Sequence, residues 1–314
     1  MRVKTYAFGV DIGGTTIKMG LFHTDGKLLD KWEIKTRTEE NGTYILQDIA
    51  DSVKDKMKEQ NIRIEDVEGI GMGVPGPVDA SGTVLKCVNL GWGVFNVVSR
   101  ISELLGGIRA CAGNDANVAA LGEMWQGGGA GHENMVMVTL GTGVGGGIII
   151  NGKIVAGANG AAGEIGHFQM KKDEPAACGC GKHGCLEQYA SANGIARMGR
   201  LKLEQESRDT VLKGKEPLTA KDIFDGAKAG DEVALELVEE LGEMLGTALS
   251  YIACVTDPEI FVVGGGVSKA GAIVTDTIQK YFRKYAFHAS ADTPFALAQL
   301  GNDAGIYGSV KMVL

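Results

Sequence analysis

Apolar and polar positions follow two rhythms along the chain, and each rhythm marks an element. Tyr6–Val10 is a short apolar run, Asp11-Ile12-Gly13-Gly14-Thr15-Thr16 interrupts it with turn residues, and Ile17–Phe22 resumes it, which predicts a β-hairpin with an unusual turn. The pattern returns as Met135–Leu140, the glycine-rich turn Gly141–Gly147 and Ile148–Ile150. A repeated hairpin predicts two related halves. Between the repeats, the spacing predicts a helix over about Tyr44–Gln60 and a buried strand Gly69–Val74 ended by Pro75-Gly76-Pro77. A strand near Ile108–Ala112 then leads through Gly113-Asn114-Asp115 into a helix over Ala116–Trp125, with either Asn114 or Asp115 as its N-cap. Behind Asp231, the residues Ala234, Val238, Leu241, Leu245, Leu249 and Ile252 keep three- and four-residue spacing and predict a long amphipathic helix with an acidic outer face. Glu259–Val263 is a short buried strand running into Gly264-Gly265-Gly266, and a helix is predicted over Ser268–Tyr285. Strands and helices alternate, so the class is α/β. The charged stretch Arg197–Lys221 reads as a solvated helix and loop without chemistry of its own.

Length and charge narrow this picture. A chain of 314 residues is long for one small core, and two lobes are expected. The 48 glycines exceed ordinary usage and imply many tight turns or close backbone approaches. A formal net charge of -8 argues against a broad nucleic-acid footprint. Cys87, Cys111 and Cys254 are scattered among apolar neighbours, which fits reduced thiols in a cytoplasmic protein. The run from Met1 to Asp11 is broken by its acid and does not form a signal peptide, and no apolar run reaches membrane-spanning length, so no membrane partner is expected.

Three features carry chemistry. Glycines expose backbone amides to phosphate oxygens and Thr hydroxyls add donors without negative charge, so Asp11-Gly13-Gly14-Thr15-Thr16 and Gly141-Thr142-Gly143 fit phosphate binding as well as plain tight hairpins. Neither is a dinucleotide fingerprint or a P-loop: Gly143–Gly147 runs into Ile148-Ile149-Ile150 instead of a helix, and the Gly-Lys-Ser/Thr element is missing. Gly264-Gly265-Gly266 precedes a helix and could lie beneath a nucleotide. Cys178, Cys180 and Cys185 with an imidazole make a closed tetrahedral zinc set, which builds structure instead of activating water. Spacing leaves His167 and His183 both open as the fourth ligand. Glu164 and Glu187 flank this cluster, while Asp115 stands at a strand-to-helix junction where a carboxylate can serve either as a cap or as a base.

The residues Asp11-Ile12-Gly13-Gly14-Thr15, Gly113-Asn114-Asp115-Ala116-Asn117, Leu140-Gly141-Thr142-Gly143, Cys178-Gly179-Cys180-Gly181 with Cys185, and Gly301-Asn302-Asp303-Ala304-Gly305 together resemble the ROK family of bacterial sugar kinases and repressors. The resemblance spans nearly the whole chain. It implies the actin-like ATPase (ribonuclease H-like) fold, two α/β lobes with nucleotide and sugar in the cleft between them. The expected lobes are 1–114, completed by a C-terminal helix over 302–314, and 115–301 with the zinc loop. It further implies an ATP- and Mg2+-dependent hexose kinase of the glucokinase type that feeds glycolysis, with Asp115 as base. Asn89, Asn114, Asp115, Glu164, His167 and Glu187 would contact the sugar, and Asp11, Gly13, Gly14, Thr15, Thr16, Lys18, Gly141, Thr142, Gly143 and Gly265 would hold the nucleotide. The implied zinc ligands are His167, Cys178, Cys180 and Cys185, with His183 left in the loop and one His167 nitrogen near the sugar. Glucose is the leading substrate. Fructose, mannose, allose or an N-acylmannosamine are alternatives, because one hydroxyl contact can decide among them. A sugar-sensing regulator is disfavoured, since the first strand begins near Tyr6 and leaves no helix-turn-helix ahead of it. Family members form homodimers or homotetramers, and no feature of the sequence chooses between these.

Overall fold

The computed structural model describes residues 4–314, so of the reading at the amino terminus Met1–Val3 lie outside the described residues. Twelve strands are present among them: β1 Tyr6–Ile12, β2 Thr16–His23, β3 Leu28–Lys35, β4 Val67–Val74, β5 Thr83–Val84, β6 Phe95–Asn96, β7 Ala110–Asn114, β8 Met135–Leu140, β9 Val144–Ile150, β10 Lys153–Ile154, β11 Ile260–Gly264 and β12 Phe295–Leu297. The helical elements are α1 Glu39–Gly42, an irregular turn whose last three residues take positive φ, α2 Ile45–Glu59, α3 Val97–Leu104, α4 Asp115–Gln126, α5 Glu187–Ala190, α6 Ala192–Leu203, α7 Ala220–Lys228, α8 Glu232–Thr256, α9 Ala272–Tyr285 and α10 Ala304–Val313. The class is α/β, as the alternation predicts.

Two five-stranded sheets share one plan. The first has the order β3-β2-β1-β4-β7 and the second β10-β9-β8-β11-β12. In the first, β1 pairs antiparallel with β2 and parallel with β4, and β4 pairs parallel with β7. In the second, β8 pairs parallel with β11 and β11 with β12. The central strands are buried along nearly their whole length because helices cover both faces of such sheets. By contrast, β3 alternates half-buried and exposed positions through Leu28-Leu29-Asp30-Lys31-Trp32-Glu33-Ile34-Lys35, and its charged side chains protect an edge.

The chain divides into two compact units, 1–131 with 147–162 and 300–314, and 132–146 with 163–299. The core of the first unit is built from β1, β2 and β4 against α2 and α3, with Phe8, Ile12, Ile17, Ile45, Ile49 and Ile70 fully buried. A second cluster, Ala7, Phe22, Ile306, Val310 and Val313, seats α10 on the other face of the sheet. There α10 meets α4 so closely that a Cβ on Gly308 would lie 1.7 Å from the Val118 carbonyl oxygen, and only glycine permits that approach. The helix that starts at Asp115 is thus fixed along its length by the carboxyl-terminal helix. In the second unit, Phe261 and Phe295 stack with centroids 4.9 Å apart, and Phe282 meets both edge-on at 5.2 and 5.3 Å, which joins α9 to β11 and β12.

Four local details differ from the sequence reading. The glycine run is shorter as a turn than predicted, because Val144–Gly147 already belongs to β9; a strand accepts glycine where the neighbouring backbone lies close. The predicted helix over Ser268–Tyr285 is broken: Val267–Ala270 is a 3-10 turn, Gly271 takes φ 84°, and the α-helix starts at Ala272. The strand expected near Ile108–Ala112 runs over Ala110–Asn114, which makes Asn114 both its last residue and the N-cap of α4. Arg197–Lys221 is not one solvated stretch, since Gly199 and Leu212 are buried and Thr219 closes a capping box with Asp222 at the start of α7.

Candidate functional site

In the first unit, the turn between β1 and β2 presents Gly14, Thr15 and Thr16 to solvent. It is closed by the Gly13 amide donating to the Thr16 carbonyl at 3.0 Å, and Thr36 Oγ1 donates to the Gly13 carbonyl at 2.7 Å. Lys18, paired with Asp11 across the hairpin, donates from Nζ to the Asn302 carbonyl at 2.9 Å. Gly305 leaves room for the acid, as a Cβ there would lie 2.5 Å from Asp11 Cγ. The motif Gly301–Gly305 therefore braces the first hairpin from the far end of the sequence, a role that no local pattern reveals.

Asp11 and Asp115 are neighbours. Gly73 of β4 lies between them, 3.6 Å from both Asp11 Oδ1 and the Asp115 Cα when measured from an added Cβ. Burial pushes the Asp11 carboxyl up from 3.8 to about 6; Lys18 opposes the shift and the nearby Asp115 adds to it. Asn114 is the cap: its Oδ1 accepts from the amides of Ala116 at 3.1 Å and Asn117 at 3.2 Å, and Nδ2 reaches the Gly76 carbonyl at 3.4 Å. Asp115 Oδ1 accepts from the Ala116 amide at 2.8 Å. Asp115 therefore starts the helix beside a cap and has one carboxylate oxygen turned to the first turn. Asn89 sits apart from these, exposed in the 3-10 turn Val88–Leu90.

In the second unit, His167, Cys178, Cys180 and Cys185 converge, with one ligand atom from each all within 4.8 Å of one another. Bonds of about 2.3 Å to a tetrahedral zinc put neighbouring sulfurs about 3.8 Å apart. Cys180 and Cys185 sulfurs are 3.7 Å apart, and Cys178 Sγ is 3.9 Å from His167 Nδ1. The donor set and spacing fit a zinc ion. Burial pushes the Cys178 thiol up and the Cys185 thiol up to about 12, while a backbone hydrogen bond from Lys182 lowers the exposed Cys180. Packed thiols resist ionising together, and a divalent cation reverses that preference. His183 is turned away, its Nδ1 3.0 Å from the Glu174 carbonyl oxygen.

The loop is also held by ordinary polar contacts. Gln188 accepts from the amides of Gly184 and Cys185 and donates to the Ala176 carbonyl. Burial raises Glu174, yet Tyr189, the Ala176 amide and Arg197 outweigh it and hold the carboxyl below its usual range. Around this frame, His167 turns Nε2 toward Glu164 Oε2 at 3.8 Å, so its two nitrogens face different groups. Glu187, the first residue of α5, accepts from the Val144 amide at 3.1 Å through Oε2 and lies 3.6 Å from Cys178 Sγ through Oε1. It touches the second hairpin so closely that a Cβ on Gly143 would lie 2.2 Å from Oε2. The carboxylate thus joins the thiol cluster to the Gly141–Gly143 turn, where the Gly141 amide donates to the Gly143 carbonyl at 3.0 Å.

Beside that turn lies a cavity of about 360 Å³ lined by Ala192, Thr219, Phe224, Lys228, Gly266 and Val267 among others. Ala192 donates its amide to the Gly141 carbonyl at 2.8 Å, and Gly265, at φ 86°, packs against Leu140, so the cavity adjoins both glycine turns of this unit. Its wall is largely apolar, with the charged Lys221, Asp225, Lys228 and Lys269 also lining it, and the apolar part suits a flat ring. Apart from the glycine turn, the sequence reading missed these residues. The signal was there in Thr219-x-x-Asp222, a helix start inside a stretch dismissed as solvated.

Residues 7–314 match the ROK family profile. The chain is 44% identical over 310 residues to a glucokinase of Halalkalibacterium halodurans, covering 97% of this chain and 94% of that one. It is 33% identical over 316 residues to a glucokinase of Thermotoga maritima, covering 99% and 98%. Among solved structures it resembles a ROK family glucokinase from Streptomyces griseus in complex with glucose and AMPPNP, with a TM-score of 0.73, 34% identity and 98% of each chain covered. That likeness, together with two α/β units on one strand plan, gives this chain the actin-like ATPase fold. With the acid pair, two glycine hairpins and the His–Cys cluster all lying inside the matched span, the chain belongs to the ROK family.

Proposed function

We propose that this protein transfers the γ-phosphoryl group of ATP to the 6-hydroxyl of glucose. The observation that carries this is the 44% identity to a glucokinase along nearly the whole chain, a span that includes Asp115 and every motif around it. Glucose and AMPPNP are the molecules seen in the Streptomyces griseus relative. The work divides by unit. Asp115 takes the proton of the attacking hydroxyl, and its place at the start of a braced helix keeps the carboxylate in one position. Asn89 and Asn114 offer amide groups to ring hydroxyls; with Asn114 Oδ1 committed to the cap, its Nδ2 is the donor that meets the sugar. Glu164 and Glu187 accept from hydroxyls, and His167 serves the sugar through Nε2 while Nδ1 serves the metal.

The turns Gly13-Gly14-Thr15-Thr16, with Lys18 behind them, and Gly141-Thr142-Gly143 hold phosphates through the amides and hydroxyls that their own closing hydrogen bonds, from the Gly13 and Gly141 amides, leave over. Gly265 and the cavity beside it take the nucleotide base. Mg2+ supplies charge neutralisation at the transferring phosphates. Asp11 is suited to orient it through water, as a buried carboxylate beside a second acid gains from a nearby cation. Zinc held by His167, Cys178, Cys180 and Cys185 keeps the Glu164–Glu187 segment in shape. The enzyme works in the cytoplasm as a homodimer or homotetramer.

A panel of hexoses with ATP and Mg2+, scored by ADP release and by the position of the new phosphate, tests substrate and donor together. Glucose should give the highest kcat/KM; a preference for mannose, fructose or an N-acylated sugar would displace it. Asp115→Ala should lower kcat by about a hundred- to ten-thousandfold while glucose still binds. Turnover near normal in that variant would remove Asp115 as the base.

A further inference from the structure

Asn89 lies in a loop with little regular structure to fix it. The loop is closed by Cys87 and Trp92, whose amides and carbonyls exchange two hydrogen bonds of 3.0 Å around the 3-10 turn Val88–Leu90, where the Leu90 and Gly91 amides donate to the Cys87 and Val88 carbonyls. An exposed amide on such a loop can select a hydroxyl only when something else sets its position.

The segment Thr38–Thr43 is placed to do this. Glu40, Asn41 and Gly42 take φ of 52°, 57° and 66°, three consecutive residues in the left-handed region, two of them with side chains. Such a run persists only where its surroundings over-determine it. Thr43 Oγ1 donates to the Glu40 carbonyl at 2.6 Å, Tyr44 OH donates to Glu40 Oε2 at 3.0 Å, and the Gly42 amide donates to the Thr38 carbonyl at 3.2 Å. The turn presses directly on the Asn89 loop. A Cβ on Gly42 would lie 2.4 Å from the Leu90 carbonyl oxygen, and one on Gly91, itself at φ 73°, would lie 2.8 Å from the Asn41 Cα. The left-handed run aims the Gly42 carbonyl at the buried Trp92 indole, whose Nε1 donates to it at 3.1 Å. Trp92 is held on its other side by the edge of Phe95, with ring centroids 5.2 Å apart.

We propose that Trp92 is a positioning residue for sugar selection: its indole fastens the Asn89 loop to the strained turn Glu40–Gly42, and this fastening sets how well Asn89 reaches a sugar hydroxyl. The inference rests on the sugar-contact reading of Asn89 given above. A hydrogen bond to a hydroxyl tolerates only a few tenths of an ångström, so a loop free to drift loses affinity for the sugar without disturbing phosphoryl transfer.

Trp92→Phe keeps a ring against Phe95 and removes the donor together with part of the buried indole's volume. It should raise KM for glucose roughly three- to tenfold, as loss of one ordinary hydrogen bond does, while kcat and KM for ATP stay within about twofold. Thr43→Val loosens the strained turn without touching the loop and should move KM for glucose in the same direction by about twofold. The decisive measurement is the double variant, in which Trp92→Phe should add little to the KM increase of Asn89→Ala. If Asn89→Ala raises KM but Trp92→Phe does not, or if the two effects multiply, the fastening role fails alone. If Asn89→Ala leaves KM for glucose unchanged, the sugar reading of Asn89 fails first. A Trp92→Phe variant that lowers kcat and raises both KM values together would make Trp92 a general structural residue and overturn the proposal.

Discussion

The two glycine hairpins occupy matching places on matching sheets but are completed in different ways. Val10-Asp11-Ile12-Gly13 and Val138-Thr139-Leu140-Gly141 stand at the same point of the strand order, and Asp11 faces Gly73 in its neighbour strand just as Thr139 faces Gly264. In the first hairpin the acid is part of the strand. In the second, a hydroxyl stands there, and the carboxylate near the turn comes from Glu187, which also touches Cys178. A turn with its own acid depends on the strand and on the helix behind it. A turn with a borrowed acid depends on whatever holds that acid, here a loop with a metal-ligand set.

The largest effect should come from the built-in acid. Asp11→Asn should lower kcat on the order of a hundredfold, as removal of a preorganised electrostatic group does. It should also stabilise the nucleotide-free protein at neutral pH. Because the folded chain raises the Asp11 carboxyl from 3.8 to about 6, Asp11 favours folding below the lower value, and that contribution is lost as pH rises through the upper one. Thermal midpoints of variant and parent should therefore separate above about pH 6 and converge toward pH 4. A gap that widens on acidification would reverse the assignment.

Removing the metal comes next. Chelation, or Cys185→Ser, should abolish bound zinc, lower the thermal midpoint by about 5 °C or more and reduce kcat/KM for glucose by about tenfold. Hydrogen exchange would locate the damage: the Val144 amide should lose protection, and the Gly13 amide should keep it. Equal loss at both hairpins would mean that they do not differ in the way described, and full activity in metal-free protein would detach the cluster from function.

The smallest effect is expected for Glu187→Gln, which keeps the shape and an acceptor for the Val144 amide but gives up the charge. A charge-assisted hydrogen bond is about twice as strong as a neutral one, so KM for both glucose and ATP should rise about two- to fivefold. A change in KM for glucose alone would assign Glu187 to the sugar only.

The elements were largely readable from the sequence because each rests on local rules. Alternation and apolar runs located β1, β2, β4, β8 and β11, while helix-forming residues and a cap located α4 and three- and four-residue spacing located α8, with α2 also placed, all within a few residues. Two misses turn on glycine, though differently: Gly271 breaks a helix that composition would continue by itself taking φ 84°, whereas Val144–Gly147 is strand although its glycines read as turn, because a neighbouring backbone lies close, a Cβ on Gly146 falling 2.8 Å from the Gly163 carbonyl oxygen. The His–Cys set was visible as ligand types at short spacing, but His167 and His183 were equivalent on spacing. Only the folded loop turns one toward the thiols and the other toward Glu174.

The sequence by itself determined the α/β class, the repeated hairpin and the soft ligand cluster, because strand and helix periodicity, turn chemistry and donor type are properties of neighbouring residues, whereas the pairing of Asp11 with Asp115 came only with the fold. Tertiary structure alone decided which distant groups complete each hairpin: Gly305 and Asn302 against Asp11 and Lys18, and Glu187 against Val144. It also set the left-handed turn at Glu40–Gly42 against Trp92. Those pairings join residues 43 to 294 positions apart or oppose a residue's own backbone preference, so packing had to select them.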